Sequence, residues 1–138
     1  MKTFLKISTS FLLLCNGIGA IYGGSSLMRY PDGSGMHLSV DWLKYTPFTD
    51  YSIPGLILFL VNGLFSLFVW VSLLLNRNNY SLLIMVQGTL LLAWIIIQII
   101  LMRTVHFLHI ILGSVGIALI ILGGFQRQLT KEKSNKKI

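Results

Sequence analysis

Four long stretches without a charged side chain limit what this chain can fold into more than any other feature. They cover residues 7–28, 53–75, 80–102 and 105–125. An α-helix needs about 20 residues to cross a hydrocarbon core of roughly 30 Å, because each residue adds about 1.5 Å. Each stretch is long enough for one crossing. We therefore expect a single all-α transmembrane domain over residues 1–138, folded as an antiparallel four-helix bundle.

The composition also indicates a membrane protein. Only 11% of the residues are charged, 54% are hydrophobic and the mean hydropathy is +0.77, whereas about a quarter of the residues of a soluble domain are charged. A net charge of +7 would favour nucleic acid as the partner of a soluble protein. In a membrane protein the same cations set the orientation, so we expect membrane lipids and no nucleic acid as partners.

The distribution of lysine and arginine predicts that orientation. With a cytoplasmic N-terminus, the eight cations on the cytoplasmic side are Lys2, Lys6, Arg77, Arg127, Lys131, Lys133, Lys136 and Lys137. The three on the outer side are Arg29, Lys44 and Arg103. By the positive-inside rule, both termini lie in the cytoplasm and the protein crosses the cytoplasmic (inner) membrane several times. The basic tail, residues 126–138, is expected to be solvated beside anionic headgroups.

The N-terminal residues look like a secretory signal, since Lys2 and Lys6 precede an apolar run. The run continues to Met28, which is long for a signal core and adequate for a spanning helix. We therefore expect this segment to be retained as the first helix. Leu14 precedes Cys15, where a lipoprotein cleavage site usually has a small residue. Cys15 is the only cysteine, so an intramolecular disulfide is impossible.

The connection between the first two stretches, residues 29–52, is long and rich in aromatic side chains. Leu38, Trp42 and Tyr45 share one helical stripe, which predicts a short interfacial helix with Ser39 as its N-cap. Two arrangements stay open: an ordered lid packed on the outer helix ends, or an amphipathic collar in the headgroups. The side chains that a lid would bury are Met36, Leu38, Trp42, Leu43, Tyr45, Phe48 and Tyr51.

The third and fourth stretches are joined by a very short connection. A continuous helix over residues 80–125 would be about 69 Å long, more than twice the hydrocarbon thickness. Arg103 and Thr104 are therefore expected to begin a tight hairpin. The turn would include His106, and His109 would lie in the first turn of the last helix.

A carboxamide followed by glycine occurs in three of the stretches, at Asn16, Asn62 and Gln87. Glycine lets helix backbones approach, and an amide in hydrocarbon requires a hydrogen-bond partner. We expect the helices to meet at these positions. The amides then either hold the helices together, which is the favoured interpretation, or line a polar ligand pocket. The matching Asn-Gly pairs are also compatible with an inverted repeat of the transporter kind.

Two helical stripes predict how the last two helices pack. On the third helix, one stripe contains Gln87, Leu91, Trp94 and Gln98. On the fourth, one stripe contains His109, Gly113, Gly116, Ile120 and Gly123. We expect the glycine face to pack against the face that carries glutamine and tryptophan.

Titratable groups next to apolar surface are expected at the outer mouth of the bundle. The candidate ligand-binding residues are Asp32, Trp42, Asp50, His106 and His109 at that mouth, with Asn16, Asn62, Gln87, Trp94 and Gln98 in the helices. Two imidazoles three residues apart can share a face and bind metal. No recognised spacing links them to further ligands, however, so histidines bonded to water or lipid are the favoured alternative. We predict no metal site, cofactor or catalytic residue, because phosphate-binding, nucleophile and zinc-protease motifs are absent.

Several short motifs carry a resemblance to a known group. They are Tyr30 to Ser34, Trp42-Leu43, the run from Pro47 to Gly55, Trp94-Ile95 and Gln98. In these the chain resembles a broad group of small, uncharacterised four-helix bacterial integral membrane proteins with a Pro-Phe-x-Asp-Tyr-x-Ile-Pro-Gly outer-loop motif. The resemblance implies a bacterial inner membrane and the same architecture, but no activity or substrate. His106 and His109 are not part of the group's pattern.

The leading functional hypothesis is a non-enzymatic accessory or small-ligand-binding bundle. Its candidate partners are a small apolar ligand, further copies of the chain, or another membrane protein. The alternative is a small transporter or oligomeric channel component, because one four-helix protomer is small for a complete transport path. A lipid- or quinone-directed enzyme comes third, and its chemistry would have to occur on the outer face, because only there do suitable titratable groups lie.

Overall fold

The computed structural model describes residues 2–103 and 105–137, which contain four long helices. They are α1 (Lys2–Arg29), α2 (Ser52–Leu74), α3 (Tyr80–Met102) and α4 (Phe107–Lys136). Each is long and apolar enough to cross a membrane. The prediction of an all-α chain with four helices of membrane-spanning length and composition is therefore confirmed for the described residues.

The helix bounds follow the apolar stretches closely, except at the two ends of the chain. The first helix begins at Lys2, and α4 continues through the basic tail to Lys136. One reason for this extension is Gln126, which is fully buried and donates a hydrogen bond of 2.9 Å to the hydroxyl of Thr9 in α1. Thr104, which the sequence places in the turn before α4, lies outside the described residues.

Helices α1 and α2 contact each other along their length. At one end, a Cβ atom on Gly24 would lie 2.6 Å from the carbonyl oxygen of Gly55, so the two backbones meet only because both residues are glycine. At the other end, the ammonium group of Lys6 donates to the side-chain oxygen of Asn76. The middle of α2, Leu58–Leu64, is π-helical.

Helices α3 and α4 also form an extensive contact. A Cβ atom on Gly88 would lie 2.6 Å from the carbonyl oxygen of Gly116. His109 of the predicted α4 stripe does line one cavity with Trp94 and Gln98. Gly116 packs against Gly88, however, so the prediction that the glycine face meets Gln87 is wrong. The reason is steric, because two backbones approach this closely only where both lack a side chain. Gln87 contacts α2 instead.

The apolar core contains side chains from all four helices. Its buried members are Leu13, Val69, Leu73, Tyr80, Ile84 and Leu119. The helix surfaces are also apolar, and large exposed side chains include Phe4, Phe11, Phe68, Ile100 and Phe125. A helix that is apolar on all sides is typical of a protein surrounded by lipid.

The long loop, residues 30–51, connects α1 to α2 and contains two 3₁₀ turns, Ser34–Met36 and Val40–Leu43. The hydroxyl of Ser39 caps the second turn, because it accepts a hydrogen bond of 3.2 Å from the backbone N–H of Asp41. The structure therefore has a single 3₁₀ turn at the position of the predicted interfacial helix.

Part of the long loop packs on the helix ends. Leu43 and Tyr51 are buried beside Leu27 of α1, and other apolar loop side chains surround them. Trp42 and Tyr45, in contrast, are 37% and 52% exposed, so they are not buried as predicted. The ring of Tyr45 faces cations instead of apolar surface, as described below.

Candidate ligand-binding site

A cavity of about 410 Å³ lies where the long loop covers the ends of the helices. All four helices and the loop contribute to its walls, which are mainly leucine and methionine side chains. The polar or aromatic lining residues include His37, Trp42, Trp94, Gln98, His106 and His109. Its volume and its mixture of apolar walls with few polar groups are typical of small-molecule sites, which measure about 300–1,000 Å³.

Half of the ten candidate site residues meet in this cavity. They are Trp42, Trp94, Gln98, His106 and His109. Trp42 comes from the loop, Trp94 and Gln98 come from α3, and the two histidines come from the start of α4. The structure therefore brings together residues from three separate parts of the chain.

The acidic candidates Asp32 and Asp50 are not among the described lining residues. The carboxylate of Asp32 accepts a hydrogen bond of 3.0 Å from the backbone N–H of Ser34, and that of Asp50 accepts one of 2.9 Å from the N–H of Ser52. The backbone and side-chain hydrogen bonds from Ser34 lower the pKa of Asp32. Both carboxylates thus stabilise turns of the loop.

The three helix amides form a buried hydrogen-bond network. The Asn16 amide donates to the backbone carbonyl of Asn62 at 3.3 Å and to the hydroxyl of Ser66 at 3.4 Å. The Gln87 amide donates to the side-chain oxygen of Asn62 at 3.3 Å. The prediction that the helices meet at these residues is confirmed. Within the described chain, Asn62 Nδ2 and Gln87 Oε1 have no hydrogen-bond partner.

This network is separate from the cavity. Asn62 lies about one helical turn beyond the lining residue Leu58, and Gln87 lies about two turns beyond Trp94. None of the three amides is among the described residues that line the cavity. Their contacts connect α1, α2 and α3, which supports the interpretation that they hold the helices together.

His106 and His109 form a capping box at the start of α4. Nδ1 of His106 accepts a hydrogen bond of 3.3 Å from the N–H of Leu108, and Nδ1 of His109 accepts one of 3.1 Å from the N–H of His106. A neutral imidazole that accepts at Nδ1 carries its proton on Nε2. Each ring therefore has an Nε2–H donor, and neither donor has an acceptor in the described part of the chain.

A cation–π contact connects the long loop to the turn before α4, and a second one lies within the loop. The guanidinium of Arg103 lies 4.0 Å from the centre of the Tyr45 ring, and the ammonium of Lys44 lies 4.9 Å from it. Such cation–π contacts are worth about 0.5–1 kcal/mol at exposed sites. The Arg103 contact holds the loop beside the turn that precedes the two histidines of α4.

Several contributors to the site were not found from the sequence. Tyr51 was predicted as a side chain that a lid would bury but not as a site residue, although it lies in the Pro47 to Gly55 run and lines the cavity. The sequence could not identify apolar lining residues such as Leu58, Met102 and Leu112 as part of a site, because apolar side chains face lipid, core and cavities alike. Away from the cavity, the buried pair of Thr9 and Gln126 was also missed, because Gln126 is followed by Arg127 rather than by glycine and lies in the predicted basic tail.

No metal site is apparent within residues 2–103 and 105–137, where no three His, Cys, Asp or Glu side chains lie close enough to hold an ion. Comparisons with protein-family models, with curated proteins and with solved structures found no match to this chain. The cavity and its lining are therefore the basis for a functional proposal.

Proposed function

We propose that this chain is an integral membrane protein that binds a small, mainly apolar molecule in the cavity beneath the long loop. The observation that carries the proposal is the cavity itself, with its volume of about 410 Å³ and its largely apolar walls. Its described lining contains no lysine, arginine or carboxylate. A neutral ligand fits such a wall, because a buried charge without a partner is costly.

The long loop is the cover of this site in our proposal. Tyr51 supports it, because its hydroxyl donates to the carbonyl of Ser39 at 2.7 Å and its N–H donates to the carbonyl of Pro31 at 2.9 Å. These bonds connect the end of the loop to its beginning and middle. An ordered cover of this kind favours the lid over the headgroup collar.

The proposed topology is an antiparallel bundle with both termini in the cytoplasm. Its helix directions are supported by the contacts of α1 with α2, since Gly24 near the end of α1 meets Gly55 near the start of α2. Its orientation is supported by the eight-to-three distribution of cations. In this topology the cavity opens on the outer face of the membrane.

We also propose that the chain belongs to the group of small four-helix bacterial inner-membrane proteins that its motifs resemble. The positions of the motif residues support this proposal. Asp50 stabilises the turn before α2, Tyr51 is buried under the loop, and Gly55 contacts Gly24. The motif therefore forms the junction between loop and helix, which a shared architecture would require.

The test is to purify the protein in native lipid particles and to identify any small molecule that accompanies it by mass spectrometry. Leu112→Trp should displace the molecule, because Leu112 lines the cavity. Ile117→Trp is the matched control, since this residue of the same helix is 49% exposed on the outer helix surface. Equal retention of the molecule by the two variants would contradict the proposal.

A further inference from the structure

The two histidines of the capping box indicate which polar group the ligand carries. We propose that the cavity takes an apolar molecule with a carbonyl-type oxygen, which accepts hydrogen bonds from the Nε2–H groups of His106 and His109. This inference rests on the proposed binding function and adds the chemical class of the ligand.

The first step is the fixed tautomer of the two rings. Both Nδ1 atoms already accept a backbone N–H, and the ring centres are 6.5 Å apart. Moving either proton to Nδ1 would place two N–H groups opposite each other and would remove a cap of α4. His106 and His109 therefore offer the cavity hydrogen-bond donors and no acceptors.

The second step is the character of the remaining lining. Trp42 and Trp94 can only donate through their indole N–H groups, and Gln98 can donate through its amide. Gln98 can also accept through its amide oxygen, but the two indoles and the two imidazoles of the capping box donate, so a ligand with an acceptor oxygen pairs with more of these groups than a ligand with only donors. An anion is disfavoured, because the described lining contains no lysine or arginine that would pair with its charge.

Such an oxygen has two sources in a membrane. It can belong to a free small molecule that carries a ketone or quinone group, or to the ester of a lipid whose chain enters the cavity. The shared chemistry is a carbonyl oxygen on an apolar body. The lipid used around the protein can distinguish these sources.

Benzophenone and diphenylmethane form a suitable pair of probes, because they share two phenyl rings and differ mainly by one carbonyl oxygen. Binding to the full-length protein is measured by the rise in its unfolding temperature in nanodiscs of ether-linked phospholipid, which has no ester carbonyl. We expect benzophenone to bind about fivefold more tightly, the effect of one net hydrogen bond. Irradiation should then attach benzophenone within residues 102–112.

Two double variants separate the donors from the caps. His106→Asp keeps an N-cap oxygen and His109→Glu keeps the back-bonding acceptor of the capping box, and neither ionised carboxylate can donate a hydrogen bond. This pair should keep the helix start but lose the preference for benzophenone. His106→Asp with His109→Gln restores one N–H donor at position 109, so we expect it to regain part of the preference.

The outcomes distinguish this inference from the proposed function. If both probes stabilise the unmodified protein equally, the cavity binds apolar molecules but the carbonyl inference is wrong. If neither probe stabilises it, both proposals fail. Weaker benzophenone binding in ester-linked than in ether-linked lipid would support the inference and identify a lipid ester as the occupant. If benzophenone binds equally in the two lipids and still binds more tightly than diphenylmethane, the result would support the inference with a free carbonyl compound as the occupant.

Discussion

The single residue Tyr51 contacts the end of α1 and both the beginning and the middle of the long loop. Its ring is buried beside Leu27 and Leu43, and its hydroxyl and N–H hold two other positions of the long loop. The ring supplies apolar burial, whereas the hydroxyl supplies one hydrogen bond. A change that removes only the hydroxyl can therefore measure how firmly the loop is held.

Tyr51→Phe should lower the free energy of unfolding by about 1 kcal/mol, the net worth of a typical hydrogen bond. The ring stays buried in this variant, while the carbonyl of Ser39 loses its donor. Thermal unfolding in nanodiscs at neutral pH measures the effect. Tyr45→Phe is the control, because that ring is 52% exposed and keeps its cation contacts without the hydroxyl. An equal loss in both variants would contradict a specific role of Tyr51.

The same tyrosine should make stability depend on alkaline pH. Burial raises the pKa of Tyr51 above its ordinary value of 10.0, because the charged phenolate is poorly solvated there. A raised pKa gives a contribution that is complete below about pH 10 and is lost as the pH rises through the folded-state value. Between neutral pH and about pH 11, Tyr51→Phe should therefore lose less stability than the unmodified protein. Parallel pH profiles would argue against this assignment.

The amide network predicts a coupling between two residues. Gln87→Met keeps the side-chain length but leaves the buried side-chain oxygen of Asn62 without its donor, at a cost of about 1–3 kcal/mol. Asn62→Leu should also destabilise the protein. The double variant should lose less stability than the sum of the two, because no partner is then left unpaired. Unfolding measurements on all four proteins test this, and strict additivity would show that the two amides act independently.

At the scale of elements, glycine determines which helix faces meet. Gly88 and Gly116 bring α3 and α4 together at the backbone, as Gly24 and Gly55 do for α1 and α2. Lipid tails are as apolar as leucine, so close packing rather than water exclusion holds such helices together. The added bulk of one methyl group at a crossing should therefore be costly.

Gly88→Ala should destabilise the bundle by about 1–3 kcal/mol, because the new Cβ would lie 2.6 Å from the carbonyl oxygen of Gly116. Gly124→Ala is the matched control, since a Cβ there has no neighbour within 4 Å. It should be neutral or stabilising by up to about 1 kcal/mol, as alanine is the better helix former. Detergent melts of the two variants measure this difference, and equal melting temperatures would contradict the proposed crossing.

The sequence predicted the elements better than their contacts. The uncharged run over residues 80–102 predicted both ends of α3, Tyr80–Met102, correctly. The buried amides predicted where α1, α2 and α3 meet, because polar groups in hydrocarbon require partners. The π-helical turn of α2 and the partner of Gly116 had no such signal, since both depend on how two surfaces fit.

The candidate site could also be predicted in part, where side-chain chemistry gave a signal. Aromatic and titratable side chains near the helix ends indicated Trp42, His106 and His109, and all three line the cavity. Asp32 and Asp50 carry the same chemical signal but bind backbone N–H groups in turns. Spacing along the chain cannot separate these two uses of a carboxylate, because the choice is made by loop geometry.

At the scale of the whole molecule, the topology decides where the cavity opens, and two labelling sites test it. In a Cys15→Ala background, a membrane-impermeant maleimide should label Ser34→Cys in intact cells but label Ser134→Cys only after permeabilisation. Three helices lie between these positions, so the two labels fall on opposite sides whenever all four helices span. The reversed pattern would place the cavity on the cytoplasmic side. Labelling of both sites from outside would instead show that the helices do not all cross the membrane.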